Sequence, residues 1–341
     1  MKWLRLKIVA VIWKLIMPVM FALLAPYATV QAEESSPLSI TLDEYSYPYP
    51  VSYLPLVIEG QDLRMAYMDV PPSRAANGKS VLLLHGKNFS GTYWKDTIAA
   101  LTVNGYRVVV PDQIGFGKSS KPNIHFSFHG LAANTRKLLD TLNIKEVTVV
   151  GHSMGGMLAT RFALMYPETA TGLVLENPIG LEDYRPFVPY VAIDEQYKNE
   201  LKATAESIRN YHKTYFVNWR PEYGEYAELA VRQRLSGEYP RLAMSSALTY
   251  EMIYEQPVCH EFQYIKAKTL LIIGQADRTV VGKARVKKEL LPHVGQYPEL
   301  GRKTAQLIPR AKLVEIPGVG HIPHMEMKDK FHEVLLSFLK T

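Results

Sequence analysis

The sequence predicts an α/β fold, a mostly parallel sheet with helices on both faces and a helical insertion near the middle. Three observations carry this reading. Short runs that are apolar throughout recur along the chain, and strands buried on both faces of a parallel sheet read that way. Amphipathic helical patterns lie between these runs, and such alternation layers helices on a sheet. One interval, 178–268, breaks the rhythm, with helical patterns and no strong buried strand. Its length suits a small inserted subdomain. The whole chain has 341 residues, a length that one large α/β unit can use.

The segment 1–32 is a separate object. Lys2, Arg5, Lys7 and Lys14 precede an uncharged apolar run over 15–25, and Val30-Gln31-Ala32 precedes Glu33-Glu34. That is the pattern of a secretory signal peptide cleaved after Ala32. The rival is an N-terminal membrane anchor from Ile8, but Lys14 interrupts it and leaves pieces short of the ~20 residues a span needs. The expected location is exported, bacterial periplasm or secreted, with no stable membrane insertion after cleavage. Residues 33–50, rich in Ser, Pro and Tyr, read as an extended lead-in that folds over the domain. The core is assigned to 51–177 and 269–341. Residues 54–59 and 63–70 read as an antiparallel pair near a sheet edge. Buried strands follow at 81–84, 107–110, 147–150, 173–175, 270–273 and 313–316. Helices are expected at 93–103, 131–142, 157–166 and 328–339, the first stopped by Asn104-Gly105. Within the insertion, 195–215, 225–235 and 242–254 are helical, and it holds Trp219 and eleven of the 21 tyrosines. Most of those tyrosines pack helices, and a minority line a site. The expected roof is aromatic, with few fixed charges.

Composition narrows the function classes. Apolar residues make up 47% and charged residues 21%, which excludes disordered and low-complexity chains. The formal charge of +6 suggests nucleic-acid binding until the leader is set aside. The remainder carries 35 bases against 33 acids, with no basic run interleaved with aromatics, so nucleic acid is not supported. A single cysteine, Cys259, rules out an intramolecular disulfide and a Cys-based metal cluster.

The chemistry gathers at strand ends. Gly151-His152-Ser153-Met154-Gly155 follows one apolar run and opens a helix. A turn that tight holds Ser153 in strained dihedrals, and side chains at Gly151 and Gly155 would collide with neighbouring chain. The Ser153 hydroxyl then projects from the top of the sheet, and the helix N-terminus faces any developing anion. A serine hydroxyl needs a base, and the base an orienter. His321, in the loop after the last strand, is the candidate base. His324, three residues on, is its competitor and a candidate for positioning the loop, while the His152 side chain should point away. Asp277, after the 270–273 strand, is the candidate orienter, with Glu176 the alternative. Two backbone amides are needed for an oxyanion: Met154 supplies one, and Lys87, after Leu82-Leu83-Leu84-His85-Gly86, the other. Asn88 is the reserve donor, or faces substrate. The Lys87 side chain reads as an ordinary surface lysine.

These pieces resemble the α/β-hydrolase superfamily, in its branch of small esterases, C–C bond hydrolases, epoxide hydrolases and haloalkane dehalogenases. The matching segments are Leu84-His85-Gly86, the run Pro111-Asp112-Gln113-Ile114-Gly115-Phe116-Gly117-Lys118-Ser119, Gly151-His152-Ser153-Met154-Gly155-Gly156, Gly274-Gln275-Ala276-Asp277, and the stretch from Gly320 through His321 to Glu326. They occur in the family's order, as do Ser153, Asp277 and His321. The resemblance implies an eight-stranded, mostly parallel sheet with a cap inserted after the sixth strand. Epoxide hydrolases and dehalogenases carry aspartate at the nucleophile position, whereas Ser153 suits acyl transfer. C–C hydrolases usually carry His-Gly-x-Gly-Pro-Gly and a cap arginine. Here the loop is His85-Gly86-Lys87-Asn88-Phe89-Ser90, and nothing singles out Arg185, Arg209 or Arg220. The main expectation is hydrolysis of small or medium apolar or aromatic carboxylic esters through an acyl-enzyme. C–C hydrolase, lactonase, cofactor-free perhydrolase and a ligand-binding protein on this scaffold stay as alternatives. A small-molecule substrate is implied, with no cofactor and no metal, and the oligomeric state stays open.

Overall fold

The computed structural model describes residues 36–341. The leader assigned to 1–32 lies outside the described residues. Eight strands form one sheet: β1 Val51–Ile58, β2 Gln61–Val70, β3 Ser80–Leu84, β4 Arg107–Pro111, β5 Val147–His152, β6 Ala170–Glu176, β7 Lys268–Gly274 and β8 Ala311–Ile316. Their order is β1-β2-β4-β3-β5-β6-β7-β8. The first pair is antiparallel and stands at the edge, and β2 meets β4 antiparallel. From β4 to β8 every pairing is parallel. The family's eight-stranded, mostly parallel sheet is therefore present.

The apolar runs explain the layering. Alternate residues of a strand point to opposite faces. Leu82, Leu84, Val149, Leu173, Leu175 and Leu271 enter one core, while Val81, Leu83, Val150, Val174, Leu270 and Ile272 enter the other. Helices α2 Phe128–Thr141, α3 Met154–Met165 and α8 Tyr297–Leu307 cover the first face. Helices α1 Lys95–Val103 and α9 Lys328–Leu339 cover the second. Sequence reading missed α8, because Pro298 and Gly301 fall inside its pattern. Pro298 is tolerated there because it sits in the first turn.

Between β6 and β7 the chain leaves the sheet and builds α4 Ile193–Lys202, α5 Ala205–Lys213, α6 Gly224–Arg234 and α7 Tyr239–Glu255. The expected single helix over 195–215 is two. Thr204 starts a new helix: its hydroxyl accepts from the Ser207 amide, and Ser207 Oγ accepts from the Thr204 amide. This reciprocal box satisfies two amides that a fresh helix start leaves open.

The lead-in, expected to be extended, runs over 36–50 as turns closed at Ser39–Leu42 and Leu42–Tyr45. It follows the cap. Leu38 and Leu42 bury against Leu229 of α6, and the Leu38 amide donates to the Arg232 carbonyl. Tyr47 Oη donates to Asp112 Oδ2 at 2.7 Å. Among the described residues no helix is long and apolar enough to cross a membrane.

Candidate active site

The C-terminal ends of β3, β5, β6, β7 and β8 converge, as expected for a site on an open parallel sheet. At the β5–α3 turn Ser153 takes φ +55° and ψ −121°, a conformation L-residues reach only under strain. The glycines beside it permit this. A Cβ on Gly151 would lie 2.2 Å from the Gly155 carbonyl oxygen, and one on Gly155 would lie 2.2 Å from that of Leu84.

Ser153, His321 and Asp277 meet there, all buried. His321 Nε2 lies 2.9 Å from Ser153 Oγ, and His321 Nδ1 lies 2.7 Å from Asp277 Oδ2. With Nδ1–H donating to the carboxylate, Nε2 is left to accept from the serine. Asp277 is itself held: Asn177 Nδ2 donates to Oδ2 and the Thr279 amide to Oδ1. Burial opposes ionisation of Asp277, but the His321 charge and the hydrogen bonds from His321, Thr279 and Asn177 outweigh it and hold the carboxyl below its usual range.

The alternative acid, Glu176, faces the other way. Its carboxylate accepts from His324, through the amide at 2.6 Å and Nδ1 at 2.9 Å. His324 stacks on Trp94, so both competitors are spent on each other. His152 does point away from Ser153, and it has a task there. Its Nε2 lies 2.9 Å from the His321 carbonyl oxygen, and its Nδ1 accepts from Tyr93 Oη, which accepts the Gly86 amide. One hydrogen-bonded chain thus links the loop after β3 to the backbone of His321. Burial, with His321 and His324 nearby, pushes the His152 pKa well down, so the ring stays neutral.

The candidate oxyanion donors lie on the two loops beside the nucleophile. Met154 opens α3, where its amide has no intrahelical acceptor. Lys87 and Asn88 are the central residues of a turn closed by the Phe89 amide on the Gly86 carbonyl, a bond that does not use their amides. The loop abuts the nucleophile, since a Cβ on Gly86 would sit 3.2 Å from Ser153 Cβ. The side chains depart from expectation. Lys87 is no surface lysine: its ammonium donates to the Ser246 carbonyl and hydroxyl and to Thr249 on α7. Burial lowers its pKa, against the opposing field of Glu200. Asn88 Nδ2 donates to Tyr215 Oη at 2.7 Å.

Two residues escaped the sequence reading. The Tyr215 carbonyl accepts the His321 amide at 2.7 Å, and its ring stacks on the imidazole. Glu326 accepts from the amides of Gly320, Val217 and Asn218, tying the histidine loop to the cap. The only available signal for Glu326 was an acid five residues past His321, in a segment read solely for its histidines. Among the described residues no cluster of His, Cys, Asp or Glu is arranged to hold a metal. A cavity of about 590 Å³ lies over Ser153 and His321 under the cap. Its wall includes Tyr211, Tyr215, Tyr226, Tyr239 and Tyr250. The expectation of few fixed charges fails, because Lys87, Lys121 and Arg285 also line it.

Residues 79–327 match the family described as alpha/beta hydrolase fold, and the chain belongs to this family of enzymes. A probable hydrolytic enzyme from Pseudomonas aeruginosa PAO1 is 44% identical, with a TM-score of 0.88 over 90% of this chain and 100% of that one. A 2-hydroxy-6-oxo-6-phenylhexa-2,4-dienoate hydrolase from Burkholderia cepacia is 27% identical over 78% of this chain and 89% of its own length. An uncharacterized protein of Mycobacterium bovis is 37% identical, and the match spans 31% of this chain and 31% of that protein.

Proposed function

We propose that the protein is a serine hydrolase that cleaves small or medium carboxylic esters through an acyl-enzyme. The observation that carries this is the continuous Ser153–His321–Asp277 hydrogen-bond chain at the floor of the cavity. His321 Nε2 takes the Ser153 proton as Oγ attacks the substrate carbonyl. The Lys87 and Met154 amides hold the tetrahedral oxyanion, and the leaving alcohol departs with the proton from His321. Water then repeats the sequence on the acyl-enzyme, while Asp277 keeps His321 in the required tautomer. No metal or organic cofactor enters these steps.

Carbon–carbon cleavage of an activated ketone is the second reading, favoured by the name of the 27%-identical dienoate hydrolase. Turnover of a simple aryl ester tests the first. Purified protein should hydrolyse p-nitrophenyl butyrate, and Ser153→Ala and His321→Ala should each abolish it nearly equally, because the two act as a unit. Full activity on dienone acids with none on esters would select the second reading. Ester turnover that survives Ser153→Ala would sink both.

A further inference from the structure

The charge of the cavity bears on what enters it. Lys87 Nζ is satisfied by neutral oxygens, the Ser246 carbonyl and hydroxyl at 2.9 Å and Thr249 Oγ1 at 3.3 Å. Arg285 donates to Tyr250 Oη and Gln196 Oε1, both at 2.9 Å. Lys121 donates to the Gly117 and Ser119 carbonyls. Among the described residues none of these three cations has a carboxylate partner within ion-pair distance. Glu200 is the acid in the cavity wall, and it bears on Lys87 only through its field.

Neutral oxygens fill hydrogen-bond valences but leave the charge standing. Desolvated charges ordinarily sit beside a counter-charge, because an unpaired one is costly. A cation retained without one, in the wall of a substrate cavity, is matched by an anion that arrives with the ligand. Lys87 is also placed for reaction. Its amide is an oxyanion donor in the proposed mechanism, so its ammonium lies one lysine side chain away from the scissile carbonyl. The stem runs from that loop to Ser246 and Thr249 of α7 in the roof.

We propose that the cavity selects an anionic substrate, a small acyl compound whose free carboxylate displaces Thr249 Oγ1, the longest of the three Lys87 contacts at 3.3 Å, and takes that N–H of the ammonium while Ser153 attacks its second carbonyl. Arg285 keeps the far wall positive, whereas burial brings the Lys121 pKa down to about 7 against the opposing fields of Asp112 and Asp43. The proposal rests on the serine-hydrolase reading and refines it from apolar esters to half-esters of small dicarboxylic acids.

The test compares two substrates with one skeleton: mono-p-nitrophenyl glutarate, and the same molecule with its free acid methylated. At low ionic strength wild type should favour the acid in kcat/KM by about tenfold or more, the worth of one charge-assisted hydrogen bond. Added salt should shrink that ratio. Lys87→Met should bring the ratio near unity whatever happens to the absolute rates, and Lys87→Arg should retain most of it. Equal kcat/KM values in wild type, or a ratio untouched by Lys87→Met, overturn the proposal while ester hydrolysis itself stands. Calorimetry of glutarate binding to Ser153→Ala gives an arm free of catalysis. Should wild type hydrolyse neither ester, the ester-hydrolase reading falls, and glutarate binding that Lys87→Met abolishes still supports the anion subsite. Absence of both binding and preference overturns it. If Lys87→Met does not fold, the wild-type ratio and its salt dependence decide.

Discussion

Two buried acid–histidine pairs stand back to back, Asp277 with His321 and Glu176 with His324. Only the first reaches Ser153 Oγ, and the difference comes from neighbouring residues on one strand end. Glu176 and Asn177 are consecutive, and their side chains serve opposite sides of β6. Asn177 takes φ +34°, a conformation asparagine tolerates better than most residues, and its amide group reaches Asp277. The two acids should therefore respond differently to neutralisation. Asp277→Asn is expected to lower kcat by about 10⁴, since it destroys the tautomer preference of the base. Glu176→Gln should cost far less rate and more stability, because it uncouples a buried pair. Steady-state kinetics beside thermal melts of both variants separate these outcomes. A dead Glu176→Gln beside a near-normal Asp277→Asn would move the orienting role to Glu176.

At the scale of elements, the loops after β3 and β8 are not free to drift, because the cap holds them. Glu326, in the helical turn Pro323–Glu326, receives two amides from the segment between α5 and α6 and one from the histidine loop. Glu326→Ala strands three donors and should destabilise the protein by about 3 kcal/mol, the scale of hydrogen bonds to a charged group. Glu326→Gln, which keeps an acceptor, should cost less. Urea unfolding measures both, and kcat should fall along with stability as Gly320 loosens ahead of His321. The legibility of the chain follows the same division. Buried strands and the β5 turn were legible because each is a local pattern: continuous apolar runs, and glycines flanking a serine. The roles of Tyr215, Glu326 and the Lys87 side chain were not, because each depends on the approach of a segment distant in sequence. The cap also bounds the substrate. A cavity of about 590 Å³ falls in the range that encloses small ligands. Among neutral p-nitrophenyl esters, kcat/KM should climb by up to roughly fourfold per CH₂ and then fall once the cavity is full. A series from acetate to palmitate checks this, and a maximum at the long end would indicate a lipase.

For the whole molecule, the lead-in joins the proposed leader to the catalytic half. Residues 36–50 bind both parts of the protein, α6 through Leu38 and Leu42, and the core through Tyr47 and Asp112. Leu42 also reaches the cavity wall. A cut after Ala32 would leave Glu33, Glu34 and Ser35 ahead of this strap, long enough to spare every contact it makes. The cut would also remove four basic residues and bring the formal charge from +6 to +2. Export with cleavage is thus compatible with an intact strap and an intact site. Intact-mass measurement of protein recovered from the periplasm or medium should give a chain beginning at Glu33. A full-length mass in the membrane fraction would instead make 1–32 an anchor. The strap would then hold the cavity close to the bilayer surface, and substrates would reach it from there.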